Sequence, residues 1–211
     1  MTATDLTLDQ LAAWLRRYAE IIDEQKSYLT DLDSAIGDAD HGTNMARGTA
    51  AVVATLDDAN TVDALLKKAG MTLVSTVGGT SGPLYGTLLM RAGMATGAVT
   101  AVTPAEFAKA FRAGVDGLVA RGRTELGDKT MVDALAPALD ALDAAVAAGT
   151  PLAEAVAAAR DAAVVGRDGT IPLVARKGRA SYLGERSAGH LDPGAASATM
   201  LLDALVEVVA G

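Results

Sequence analysis

Apolar residues three and four apart recur along nearly the whole of this 211-residue chain, and no segment alternates cleanly with a period of two. That spacing puts one apolar stripe on each helix and leaves no half-buried strands, so the chain must fold by packing helices against one another. Leu8, Leu11, Leu15, Tyr18 and Ile22 form one face of a first helix, with Thr7 as its cap. Met45, Val52, Val53 and Leu56 mark a second, and a third runs from about Val62 to Val74. Residues 84–95 make a fourth, opened by Gly82-Pro83, where proline suits the first helical turn. Phe107, Phe111, Val115 and Leu118 give a fifth behind the start signal Thr103-Pro104-Ala105-Glu106. Met131, Leu135, Leu139, Leu142 and Val146 give a sixth, and Gly149-Thr150-Pro151 stops it and opens a seventh reaching about Val165. Leu201, Leu202, Leu205 and Val208 close the chain in an eighth. Half the residues are apolar but only 3% are aromatic, so alanine, leucine and valine must build the core, which favours closely packed helices. The expected class is all-α, and with no seam in sight residues 1–211 form a single domain.

Four segments break the pattern: residues 31–42, 78–86, 122–130 and 166–194. Structureless loops of that length are uncommon in compact domains unless they carry function. All are rich in Gly, Asp, Ser, Thr or Arg, residue types that bind phosphate and metal. In an up-and-down helical array alternate loops share one end, so these four, following helices one, three, five and seven, should converge on one rim. The short turns at residues 56–62, 97–104 and 149–150 should lie on the other.

The densest cluster of chemistry is Asp33-Ser34-Ala35-Ile36-Gly37-Asp38-Ala39-Asp40-His41-Gly42. Asp38 and Asp40, two apart in an extended loop, direct their carboxylates to the same side, and Asp33 reaches them if the chain turns at Gly37. Three carboxylates held together repel, and a hard divalent cation is the usual remedy. His41-Gly42-Thr43-Asn44 then opens a helix whose free amides would face an anion. The same residues would also suit a solvated acidic loop in which Asp40 only caps that helix. A calcium EF-hand is excluded, because the sixth position from Asp38 is Thr43 rather than glycine and the twelfth is Thr49 rather than glutamate.

Gly78-Gly79-Thr80-Ser81-Gly82-Pro83 leads into another helix start, where backbone can approach a ligand and hydroxyls can meet phosphate oxygens. It is neither a Walker A loop nor a Gly-x-Ser-x-Gly elbow, and an ordinary interhelical turn would read the same way. Gly127-Asp128-Lys129-Thr130-Met131 is a turn of the same kind, with Met131 either a surface for an adenine face or a core residue. The last loop carries Arg176, Lys177, Arg179 and Arg186, then His190-Leu191-Asp192-Pro193-Gly194; its basic residues suit an anion, and His190 is more simply structural.

The formal net charge of −8 argues against nucleic acid, whose phosphates reward clustered Lys and Arg, yet not against a nucleotide bound through a cation. With no cysteine and two histidines, disulfides and structural zinc are not expected. No apolar run is read as bilayer-spanning, and Met1-Thr2-Ala3-Thr4-Asp5 lacks the regions of a signal peptide. The expectation is a soluble cytoplasmic protein that contacts neither membrane nor nucleic acid.

Taken together, Leu32-Asp33, Gly37-Asp38-Ala39-Asp40-His41-Gly42, Gly78-Gly79-Thr80-Ser81-Gly82, Gly127-Asp128-Lys129-Thr130-Met131 and Asp192-Pro193-Gly194 resemble the DhaL family, the nucleotide-binding subunit or domain of dihydroxyacetone kinases. The resemblance implies a barrel of eight antiparallel helices with ADP or ATP bound at one rim. It implies that Asp33, Asp38 and Asp40 hold two Mg²⁺ ions bridging the phosphates. His41, Gly42, Thr43, Asn44, Thr80 and Ser81 would line phosphates and ribose, and Gly122 and Met131 would lie near the base. Arg179 and Asp192, Pro193 and Gly194 would complete the site. The implied reaction is phosphoryl transfer, carried by positioning and charge neutralisation. The implied partners are a DhaK-like subunit that holds the triose and, where ADP stays resident, a DhaM-like phosphotransferase-system donor; a homodimer is also open to the chain. An ATP-dependent kinase subunit for another keto-sugar such as erythrulose, or a nucleotide-sensing module that docks on a regulator, are the competing readings.

Overall fold

The computed structural model describes residues 5–211. The opening residues 1–4, on which the reading of the N-terminus rests, lie outside the described residues. The α-helices are α1 (Leu8–Glu24), α2 (Lys26–Ile36), α3 (His41–Val53), α4 (Val62–Thr76), α5 (Ser81–Thr96), α6 (Pro104–Gly122), α7 (Met131–Ala147), α8 (Leu152–Gly169) and α9 (Pro193–Ala210). Eight of them form a closed ring. Each of α3 to α9 packs on the next, and α1 closes the circle between α9 and α3. Antiparallel closure is fixed by side chains: Trp14 Nε1 donates to the Leu201 carbonyl at 2.8 Å, and one turn on Tyr18 Oη donates to the Ser197 carbonyl at 3.3 Å. The ring is filled rather than open. A single apolar cluster runs through it, with Trp14 set edge-on to Phe107 at 6.1 Å and Leu88, Leu118, Leu135 and Leu201 fully enclosed.

Several helix starts follow from their caps. Thr7, Thr103 and Thr130 each accept a hydrogen bond from the first turn, and Gln10, Glu106 and Asp133 return one, making three reciprocal boxes. Two-residue strands Leu6–Thr7 and Ala101–Val102 pair antiparallel, Leu6 opposite Val102. With Val62 N bonded to the Val99 carbonyl, they gather the turns at 56–62 and 97–104 on the opposite rim.

The structure corrects the expected boundaries at five places. Residues 31–36 are helical, the last turns of α2, which lies outside the ring against α3. The loop at 78–86 shrinks to residues 78–80, because α5 already begins at Ser81. Gly122 is the last residue of α6 rather than a loop residue. The long loop expected over 166–194 loses both ends to α8 and α9, and a kinked 3₁₀ segment, Arg179–Ser187, occupies its middle. Finally, α9 is 18 residues long with mean hydropathy 1.4, enough to cross a membrane by length and composition alone, although no such run was read from the sequence. Its apolar character has a simpler cause here: over half of it is buried against α1, α7 and α8.

Candidate functional site

The connections after α2, α4, α6 and α8 meet at one rim around a cleft of about 850 Å³. Each leads directly into the N-terminus of the next helix, so α3, α5, α7 and α9 all aim their positive ends at this space. Two of those ends are satisfied internally. Thr130 caps α7 through Val132 N at 3.2 Å, and Asp192 caps α9 through Ala195 N at 2.7 Å. Neither α3 nor α5 is capped by the side chain of its own N-cap residue, and apart from the His41 amide, which Asp33 takes, these two ends are the ones open to an anion.

Beside them stand the three carboxylates. Asp33 is buried on the last turn of α2, and Asp38 and Asp40 occupy the turn that follows; their ligand atoms come within 4.8 Å of one another. Asp33 Oδ2 accepts from Asp40 N at 2.9 Å and His41 N at 3.1 Å, which folds the turn back over the helix end. Gly37 makes that approach feasible, since a Cβ there would fall 2.0 Å from Asp33 Oδ1. Ala39 takes a positive φ of 63°, an unusual strain for alanine that the clustered turn maintains. Gly42 lets α3 cross α2 closely, because a Cβ would meet the Lys26 carbonyl at 2.1 Å. Arg179 Nε contacts Asp38 Oδ2 at 2.8 Å from the last loop, placing an exposed cation over the acidic group.

His41 lies under the cleft floor. Its Nε2 is 2.9 Å from Ser197 Oγ and its Nδ1 is 3.2 Å from Ser81 Oγ, and Tyr85 Oη reaches the same Ser197 Oγ at 2.7 Å. Burial pushes the imidazole below its ordinary pKa, against the pull of Asp33 and Asp40, so the ring is neutral near pH 7 and holds Ser81 at the start of α5. Asn44 is buried one turn on, and its Oδ1 accepts from Arg47 at 2.7 Å while Arg47 Nε bonds the Thr76 carbonyl at 3.0 Å. That arginine ties α3 to the end of α4.

The other end of the cleft is apolar. Leu84, Leu118, Gly122, Met131 and Val132 line it, with Met131 buried at the first position of α7. Asp133 holds the turn before it, accepting from Gly127 N at 2.5 Å and Thr130 N at 2.7 Å. Asp192 is buried where α9 begins, and burial pushes its carboxyl up to about 7 despite the Ala195 amide and Lys129. Burial likewise lowers the Lys129 ammonium, against Asp192 and Asp133.

The structure therefore brings together at one cleft Asp33, Asp38, Asp40, His41, Asn44, Thr80, Ser81, Gly122, Met131, Arg179, Asp192, Pro193 and Gly194. Gly42 and Thr43 lie in the first turn of α3 beside it. Sequence reasoning missed Arg47, Asp133 and Ser197, which act by holding other residues; Asp133 at N3 behind Thr130 is the one with a readable signal, the capping pattern.

The donor set suits magnesium: oxygen ligands only, converging on one side of a cleft. A protein-family model described as the DAK2 domain matches residues 35–207. The chain is 46% identical over 202 residues to the PEP-dependent dihydroxyacetone kinase, ADP-binding subunit DhaL, of Escherichia coli (strain K12), covering 95% of this chain and 96% of that protein. It is 41% identical over 207 residues to the PTS-dependent dihydroxyacetone kinase, ADP-binding subunit DhaL, of Lactococcus lactis subsp. lactis (strain IL1403), covering 97% and 100%. Its fold superposes on the dihydroxyacetone kinase of C. freundii in complex with AMP-PNP and Mg²⁺ with a TM-score of 0.73 and 26% identity, spanning 97% of this chain and 35% of that one.

Proposed function

This chain belongs to the DAK2-domain family, and from that premise we propose that it is the DhaL-type, ADP-binding subunit of a dihydroxyacetone kinase, its single domain spanning residues 1–211. The observation that carries the reading is the meeting of the Asp33, Asp38 and Asp40 carboxylates with the starts of α3 and α5, neither closed by its own N-cap side chain, at one cleft. In this reading the three carboxylates hold two Mg²⁺ ions. When bound, magnesium neutralises the phosphate oxygens and the charge that develops on them during transfer. The chain's own residues do the positioning. The first turn of α3, Gly42 to Asn44, and Thr80 with Ser81 at α5 present amides and hydroxyls to the phosphates. Neutral His41 fixes Ser81 without adding charge. Gly122 and Met131, with Leu84 beside them, give the base an apolar slot, and Asp192, Pro193 and Gly194 wall the cleft from α9.

Arg179 is bonded to Asp38 by an exposed side chain, so a short swing carries its guanidinium to a phosphate. A DhaK-like subunit holds the triose and supplies the acceptor. Tyr182, 86% exposed on the rim beside Arg179, suits contact with that subunit. The names of the relatives favour ADP as a resident coenzyme recharged by a DhaM-like phosphotransferase-system protein.

Calorimetric titration of the purified protein with ADP and magnesium tests the core of this. Asp38→Ala should weaken magnesium-dependent ADP binding by more than the roughly 10–100-fold typical of losing a supporting group. Unchanged binding in that variant would remove the metal site from the mechanism.

A further inference from the structure

Lys129 is a lysine with 1% exposure, one of the largest fully buried side chains in the protein. It stands at φ 63° in the turn between α6 and α7, a conformation that costs a side-chain-bearing residue energy and that something must hold. What its Nζ meets is a set of main-chain carbonyls: Thr170 at 2.8 Å, Leu173 at 3.1 Å, His190 at 2.5 Å and, more distantly, Ile171 at 3.4 Å. Among the described residues it forms no ion pair within contact distance, although Asp192 and Asp133 pull on it from further off. Three ammonium protons facing four carbonyl oxygens is the arrangement by which proteins replace the hydration shell of a small cation.

The carbonyls come from the two ends of one loop. Thr170, Ile171 and Leu173 open it as α8 finishes, and His190 closes it three residues before α9 begins. Between them lie Arg176, Lys177 and Arg179, which wall the cleft. Two further ties act on the same loop. The Arg176 amide donates to the Asp128 carbonyl at 3.0 Å, and the Asp192 amide donates to Thr170 Oγ1 at 3.1 Å.

We propose that Lys129 is a positioning residue for the nucleotide, a tethered monovalent cation whose carbonyl cage pins both ends of the 170–190 loop and so sets Arg179 and Asp192 at the cleft. The role rests on the reading of the cleft as an ADP site, while the cage itself does not. Removing the side chain as Lys129→Ala leaves a cation-sized space lined by oxygens, which potassium or ethylammonium can fill.

Two measurements keep the claims apart. Hydrogen exchange of amides 170–192, without nucleotide, should speed up at least tenfold in Lys129→Ala in sodium buffer and return toward wild type with potassium or ethylammonium. Affinity for ADP and magnesium should fall about tenfold and recover with the same cations. Unchanged exchange, or a loss that neither cation restores, overturns the tethered-cation role. Failure of the wild-type protein to bind ADP with magnesium would instead overturn the functional reading and leave the exchange result to judge the cage. Should Lys129→Ala not fold, Lys129→Met fills the space without charge. It should show the faster exchange and weaker binding with no rescue, and wild-type behaviour there overturns the inference.

Discussion

At the scale of single residues the site is governed by what burial does to charge. Asp192 is enclosed where α9 begins, and its carboxyl is raised from 3.8 to about 7, chiefly by burial. The folded protein therefore binds that proton more tightly than the unfolded chain does. The stability this group contributes is complete below about pH 4 and is lost as the pH rises through 7, by on the order of 4 kcal/mol. Asp192→Asn keeps an equally good cap for Ala195 N but cannot ionise. Urea unfolding between pH 4.5 and 7.5, without metal or nucleotide, should show the wild-type protein losing stability relative to the variant across that range; parallel curves would contradict the assignment. Such effects were not readable in the sequence. Asp33, Asp38 and Asp40 were, because three carboxylates within eight residues demand an explanation wherever the chain places them. The contacts of Lys129 and Ser197 were not, since their partners lie dozens of residues away and are in part main-chain carbonyls.

At the scale of elements the apolar spacing located every helix of the ring, and the misses have physical causes. The second helix, α2, buries only Leu29, Asp33 and Ile36, so it has almost no stripe to detect, and its start lacks a capping side chain. It is held instead by close approach to α3 through Gly42 and by Ile36, which packs with Ala175 and Ala180 of the last loop. Similar contact governs α7 and α8. Pro137 inside α7 cannot bond the carbonyl of Asp133 four residues back, and Gly166 of α8 sits against that carbonyl. A Cβ at Gly166 would lie 2.0 Å from the Asp133 oxygen, so Gly166→Ala should cost about 1–3 kcal/mol. Chemical denaturation checks the cost. Because Asp133 also anchors Gly127 and Thr130, the same variant should weaken nucleotide binding without touching the cleft.

Across the whole molecule the expectation that alternate loops share a rim holds, although one more helix than expected precedes it. Lying outside the ring, α2 adds a step to the chain without changing which ends of α3, α5, α7 and α9 face the cleft. A ligand that bridges all four helix ends stabilises the fold as a unit. ADP with magnesium at about a hundred times its dissociation constant should raise unfolding stability by roughly 2.7 kcal/mol. A chelator should abolish that gain; a thermal shift that survives the chelator would mean the phosphates are held without metal.

Closure of the ring by α1 against α9 also has a consequence for how the protein is made. Trp14 and Tyr18 wait for Leu201 and Ser197, and His41 waits for the same serine. During synthesis the acidic turn emerges early, yet its supporting hydroxyl and the wall at Asp192 arrive only with the final helix. A nascent chain stalled before that helix can therefore form local helices but not the site, which makes capture of nucleotide a report on the arrival of α9 rather than on partial folding.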